Sequence, residues 1–404
     1  MGFSALFTKD IMKGFQRSND ASLLRTKECF QIRINNCFYS SNFTTVNINE
    51  GASDICLTID LKKVASLARR SLAPGRPHHA QWLVTRKCNY RCAGCNVWKE
   101  QDQRELATDD IKKGLDVLKN LGIVELVISG GDPLLRDDIG EIIDYASKLF
   151  VTTVYDNGSM AVKKIDALRN VDFVAISIDS LDETKNDEIK NVPGAWRRAM
   201  ESVEKLHNKG INVSVTPTIS QKNLYEIIDI TNYFTKKGIP VWYCLYSYDV
   251  QADENQLFRL GKENNEFVIE DKQAMVKLCN SLMEMKKKNN KILMTNMLLE
   301  ALRSFYEEDK RTWKCQALRN FIVIDPLGRV AGCHSHNFAG SVFNLPEVWK
   351  SQEFKELRET YNECTQCNYL CYIFYSLQGG LSGYLSLARD QWKNAGLIFK
   401  KSEN

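Results

Sequence analysis

The sequence predicts an α/β fold built on a parallel sheet and wound as an open or partial barrel. Apolar runs at residues 81–85, 124–129, 151–155, 173–179, 213–218 and 241–246 recur at strand length. Helical patterns separate them at 108–121, 137–149, 161–169, 195–209 and 224–237. Strands that are apolar throughout and alternate with helices belong to a parallel sheet buried on both faces. Six such units are too few to close an eight-stranded barrel.

Each element has its own local cause. Thr108 is the expected cap of the first helix, and Asp109 and Asp110 suit the positive end of its dipole. Gly122, Gly210 and Gly238 stand where helices should end. Before the rhythm begins, Pro74, Gly75 and Pro77 interrupt the chain. Upstream, residues 43–49 and 55–61 alternate and predict a hairpin across 50–54. Leu61, Val64, Ala65, Ala68 and Leu72 recur at helical spacing among basic residues. The organisation read from this is an extension over 1–78, a barrel over 79–300, a smaller α+β region over 301–375 and an amphipathic helix over 376–404.

Composition narrows the class. The net charge of +4 argues against a protein that coats nucleic acid. No run approaches the ~18 apolar residues of a membrane span. Lys9, Asp10 and Lys13 interrupt the first residues, which lack a secretory pattern, and the thirteen cysteines are odd in number. The expectation is a reduced, cytoplasmic protein with thiol–metal chemistry rather than a disulfide framework. Leu381, Tyr384, Leu385, Ala388 and Trp392 form a second apolar stripe with basic neighbours. Such helices either pack on the domain or lie peripherally on an anionic membrane surface.

The chemistry concentrates in residues 85–98, TRKCNYRCAGCNVW, where Cys88, Cys92 and Cys95 follow the first predicted strand in a C-x3-C-x2-C spacing. Soft thiolates select zinc, copper(I) or an iron–sulfur cluster. Three ligands without a fourth cysteine nearby suit a four-iron cluster with one open iron, the mark of a metal site that does chemistry. Zinc would need a fourth ligand, for which His78 and His79 are the near candidates. After the second strand comes Gly130-Gly131-Asp132-Pro133, where glycines permit close approach to a ligand and Asp132 offers a counter-charge.

These motifs resemble the radical S-adenosylmethionine (SAM) enzymes over roughly residues 80–250. The resemblance implies a partial (β/α)6 TIM-like barrel whose cysteine loop holds a [4Fe–4S] cluster that binds SAM through its open iron. By the same resemblance, Gly130–Pro133 contact the SAM amino group. Asp156-Asn157-Gly158, with Ser177 and Asp179, are similar to positions that touch ribose and carboxylate. Reductive cleavage of SAM to a 5′-deoxyadenosyl radical is the implied reaction, fed by a low-potential donor such as ferredoxin or flavodoxin. The chain departs from the family at Gly94, where an aromatic residue usually meets adenine; Tyr90, Trp98 or residues 241–243 are the replacements considered. Asp132 stands for a commoner glutamate.

A second set, Cys315, Cys333, Cys364, Cys367 and Cys371, crowds the last quarter. A hairpin signal around Asp325-Pro326-Leu327-Gly328 brings the first two together. This looks like the twitch or SPASM-type domain that follows many radical SAM barrels. It implies one auxiliary [4Fe–4S] cluster on Cys315, Cys333, Cys364 and Cys367, with Cys371 spare or a substitute. A zinc ribbon is the alternative, since C-x2-C pairs suit zinc equally well. Cys244, ending the sixth strand, is either a hydrogen-atom donor to a substrate radical or an inert buried thiol. The substrate is left open among a lipid-like molecule, a small cofactor precursor and a peptide. A non-enzymic zinc- or cluster-binding interaction protein is the reading from another class; it predicts tightly bound zinc and no SAM affinity.

Overall fold

The computed structural model describes residues 77–100, 102, 104–248, 265–334, 336–365, 369–378 and 383, together with the backbone of 21–26 and 29–34. The predicted hairpin over 43–61 and the helical patterns at 61–72 and 381–392 lie outside the described residues. A hairpin that the sequence reading did not anticipate, β1 (Ala21–Thr26) and β2 (Cys29–Ile34), belongs to a compact unit of its own.

The second unit carries the α/β rhythm. Strands β3 (His79–Thr85), β4 (Glu125–Gly130), β5 (Val151–Asp156), β6 (Phe173–Ile176) and β7 (Val213–Val215) pair in parallel in that order. Helix α1 (Thr108–Leu121) has the predicted bounds, and α2 (Ile139–Leu149) packs beside it. Ala107 is the cap of α1 instead of Thr108, whose hydroxyl reaches across to Asp138 Oδ2 at 2.5 Å. Gly122, Gly210 and Gly238 do end helices, each with positive φ.

Four elements differ from expectation. Residues 161–169 form consecutive turns held by bonds such as Ala167 N to Lys164 O at 3.0 Å, not a helix. Helix α3 (Glu183–Lys190) appears where none was expected and precedes α4 (Ala195–Asn208). The fifth predicted strand stops at Val215 because Pro217 has no N–H to give the ladder. The chain resumes as β8 (Thr218–Ile219), and after α5 (Ile227–Lys236) it pairs with β9 (Cys244–Leu245), all that remains of the sixth run. The Pro217 carbonyl still accepts from Cys244 N at 3.0 Å.

Helices α6 (Lys272–Lys288) and α7 (Asn296–Glu308) pack on each other and lead to β10 (Phe321–Ile324). The predicted turn over 325–328 joins β10 to β11 (Arg329–Ala331), followed by β12 (Gly340–Ser341). Rather than standing apart, this C-terminal hairpin extends the barrel sheet: β10 pairs in parallel with β3, giving the order β12-β11-β10-β3-β4-β5-β6-β7. Helices α8 (Leu345–Val348), α9 (Gln352–Glu363) and α10 (Leu370–Leu377) complete the described chain. Helix α10 is apolar nearly all round and runs against the barrel: Phe374 meets Trp242 edge-on at 5.2 Å and Tyr375 stacks on His79 at 3.6 Å. Among the described residues, no helix is long and apolar enough to cross a membrane.

Candidate active site

The cysteine loop leaves β3 at its C-terminal end and is fixed on every side by hydrogen bonds. The glycine–glycine–aspartate turn after β4 bonds directly to its base, with Gly131 N donating to Thr85 O at 2.9 Å and Asp132 N to Lys87 O at 2.8 Å. The two glycines serve this contact. A Cβ on Gly130 would stand 2.2 Å from Thr85 O, and one on Gly131 would stand 2.3 Å from Lys87 O. Close approach is needed as the sequence predicts, but what approaches is the backbone of the cysteine loop.

A polar network carries the same support to β5. Asn89, one residue past Cys88, donates to Ser159 Oγ at 2.8 Å and accepts from Asn157 Nδ2 at 2.9 Å. Ser159 Oγ reaches Asp132 Oδ2 at 3.4 Å, and Asp132 Oδ1 accepts from Leu134 N at 3.0 Å. Asp132 is fully buried and meets Asp156, whose Oδ2 accepts from Gly158 N at 2.7 Å. Burial, and then the neighbouring Asp132 carboxylate, push the Asp156 carboxyl well above its usual range, and burial raises Asp132 as well. Asn157 therefore braces the cysteine loop through Asn89, which spacing did not flag.

Ser177 and Asp179 share a partner that the sequence did not suggest. Lys190 Nζ, at the end of α3, lies 2.6 Å from Ser177 Oγ and 2.6 Å from Asp179 Oδ2. Asp179 Oδ1 also accepts from Thr218 N at 2.7 Å. The ammonium is buried beside Cys92 and Tyr90, and Asp179 keeps it charged against the cost of burial. Nothing in the local sequence marks Lys190, because its helix was itself unpredicted.

Burial pushes the thiol of Cys88 up to about 12 and that of Cys92 up to about 11, and it raises Cys95 as well; Lys190 pulls against this at Cys92 and Cys95. Protonated thiols on one braced loop suit a cluster that displaces their protons on binding. Among the described residues, no three His, Cys, Asp or Glu side chains converge on a point fit for one metal ion. The two histidines near the loop are engaged elsewhere: His78 Nε2 with Gln378 at 3.2 Å, and His79 Nδ1 with Glu125 at 3.3 Å. Neither completes a zinc site on the loop.

The suggested adenine-facing residues are also engaged. Tyr90 is buried and accepts from Arg198 Nε at 3.2 Å. Trp98 Nε1 donates to Cys92 O at 3.3 Å, and Tyr243 is buried against Thr231. The space at Gly94 is taken by Tyr246 and Phe267, whose rings lie 5.4 Å apart; a Cβ there would come within 2.9 Å of Tyr246.

In the C-terminal region, Cys315 precedes β10, Cys333 follows β11 and Cys364 ends α9. All three lie near the Tyr361 phenol, whose oxygen accepts from Gly332 N at 3.1 Å. Burial, with Cys364 adjacent, pushes Cys315 up to about 11. Cys367 lies outside the described residues. Cys371, on α10, is placed beside Cys244 of β9 and Tyr155 of β5 instead of with the other three. His334 is buried, its Nε2 2.8 Å from the Tyr372 hydroxyl.

Residues 82–234 match the radical SAM superfamily, and residues 315–368 match the SPASM iron–sulfur cluster-binding domain. The AdoMet-dependent heme synthase of Nitratidesulfovibrio vulgaris is 25% identical over 331 residues, covering 74% of this chain and 88% of that protein. The antilisterial bacteriocin subtilosin biosynthesis protein AlbA of Bacillus subtilis is 26% identical, covering 68% of this chain and 62% of its own. Streptococcus suis SuiB bound to S-adenosylmethionine shares the fold with a TM-score of 0.57 at 14% identity, over 85% of this chain and 80% of that one.

Proposed function

The chain belongs to the radical SAM superfamily and carries a SPASM-type domain, and on that premise we propose its substrate class and residue roles. It is an enzyme that uses [4Fe–4S] clusters and SAM. The substrate is a small cofactor precursor of the tetrapyrrole class, modified at an unactivated carbon. One observation carries this choice: the likeness to the heme synthase runs through 88% of that protein, against 62% for the bacteriocin maturase. The maturase favours a peptide substrate as the second reading.

Cys88, Cys92 and Cys95 hold the SAM-binding cluster. When bound, this cofactor pair supplies a 5′-deoxyadenosyl radical that takes hydrogen from carbon. The chain's own part is positional. Gly130 and Gly131 seat the loop, and Asn89, Asn157 and Ser159 fix its far side. Asp132 offers its carboxyl group to the SAM amino group, with Asp156 and Ser159 beside it. Ser177 and Asp179 aim the Lys190 ammonium at the cluster side of the site, where it offsets developing negative charge. Cys315, Cys333 and Cys364, with Cys367, hold the auxiliary cluster. A low-potential one-electron donor of the ferredoxin or flavodoxin type feeds both. Peripheral membrane contact would rest on residues 61–72 and 381–392, outside the described chain, and forms no part of this reading.

The test is anaerobic formation of 5′-deoxyadenosine from SAM and dithionite by wild type and by Cys92→Ala, with carboxylated porphyrins or cysteine-containing peptides added. Wild type produces it, Cys92→Ala does not, and porphyrins accelerate it. Acceleration by peptides alone would move the assignment to the second reading, and zinc in place of iron with no SAM binding would refute both.

A further inference from the structure

Two thiols and a phenol meet on three elements distant in sequence. Cys244 ends the last barrel strand, with its backbone tied to Pro217. Cys371 sits in the first turn of α10, which the Trp242–Phe374 and His79–Tyr375 ring contacts press against the barrel. The Cys244 thiol hydrogen-bonds to Cys371, which with burial pushes it well above its usual range, and Tyr155 is near enough to feel both sulfurs. All three side chains are half-buried. Asp179 and Lys190 approach Cys244 from the other side, which sets the pair at the strand ends beside the cysteine loop.

We propose that Cys244 and Cys371 are a redox-active dithiol that closes to a disulfide at the C-terminal mouth of the barrel, fastening α10 to the last strand. Thiols in hydrogen-bond contact need only small movements to reach bonding distance, and a reduced compartment keeps such a pair open until oxidant accumulates. The oxidant is a disulfide of the glutathione class. One thiolate attacks it and releases the first glutathione; the second cysteine then displaces the other. One S–S bond forms as one breaks, two electrons pass to glutathione, and the cysteine protons leave with the two product thiols. Closure ties α10 to β9 beside Tyr155 and stops turnover under the conditions in which low-potential clusters fail. Cys279, fully buried on α6 with its thiol pushed up to about 12, is the inert control.

This inference rests on the proposed chemistry only for its effect on turnover, because the cross-link itself needs neither SAM nor substrate. The full-length protein, loaded with clusters, is equilibrated anaerobically with mixtures of oxidised and reduced glutathione, trapped with iodoacetamide and mapped by mass spectrometry. A peptide cross-linking 244 to 371 is expected in wild type and in Cys279→Ser, and is expected to be lost in Cys371→Ser. Cross-linked wild type forms 5′-deoxyadenosine at least ~10-fold more slowly, and dithiothreitol restores the rate without new iron. Absence of the cross-link overturns the proposal. So does loss of auxiliary iron in Cys371→Ser, which would make that sulfur a cluster ligand. A cross-link with undiminished turnover overturns the closing of the mouth.

Discussion

The two cysteine regions are built in opposite ways. The first takes its three sulfurs from one eight-residue loop, then braces that loop with the Gly130–Gly131 turn, the Asn89 network and Lys190. The second gathers Cys315, Cys333 and Cys364 from three segments around one buried phenol, Tyr361. A loop site forms its ligand set locally and needs the tertiary structure only to hold it still. An assembled site has no ligand set until the hairpin and α9 have docked. Damage at the first should therefore act through geometry, and damage at the second through local stability.

The largest contrast should come from one substitution in each region. Gly131→Ala drives a methyl group into Lys87 O and Arg86 O, backbone atoms that cannot turn away. SAM-dependent 5′-deoxyadenosine formation is expected to fall by about 100-fold or more, near 3 kcal/mol, while the auxiliary iron stays. Tyr361→Ala removes a buried aromatic ring at a cost of about 3–5 kcal/mol and should release the auxiliary iron while the loop cluster still binds SAM. Iron stoichiometry and SAM binding measured on both variants decide the point. Loss of both clusters in the second variant would mean that the regions stand or fall together, as the shared sheet and the buried Arg86–Asp325 pair allow.

A smaller effect sharpens the account of the first region. Gly94→Phe collides with Tyr246 and should weaken SAM binding about 10-fold in equilibrium dialysis. Adding Tyr246→Ala vacates that space and should recover most of the loss. Failure of the double variant would show that the aromatic pair does more than fill the gap left by glycine.

A further contrast concerns acid. Burial lowers His78 to about 4 and His334 to about 3. Both lie below the unfolded value of 6.5, so the unfolded chain takes up protons first. The stability from keeping these rings neutral is complete above about pH 6.5 and drains away as pH falls toward those values, by up to about 1.4 kcal/mol per unit for each ring. His78 bonds Gln378 just beyond α10, and His334 bonds Tyr372 within it. Between pH 7.5 and 5, amide-exchange protection relative to the intrinsic rate at each pH should therefore fall in 370–377 before it does in 108–121. Equal loss of protection in both would detach the acid response from the histidines.

The sequence by itself determined what depends on neighbours along the chain. The cysteine spacing, the glycine–glycine–aspartate turn, the bounds of α1 and the turn over 325–328 are each written in a few consecutive residues, because ligand spacing, caps and turns are local requirements. Periodicity likewise announced a parallel sheet, although Pro217 cut one of its strands short and residues 161–169 settled into turns. Only the tertiary structure decided that Lys190 answers Ser177 and Asp179, that Asn89 is gripped by Asn157 and Ser159, and that the C-terminal hairpin extends the sheet from β3. It likewise placed Cys371 beside Cys244 instead of with the other C-terminal cysteines. Those pairings follow from which strand edges and helix faces remain to be covered once the sheet has formed, and no period or motif along the chain records the partner that covers them.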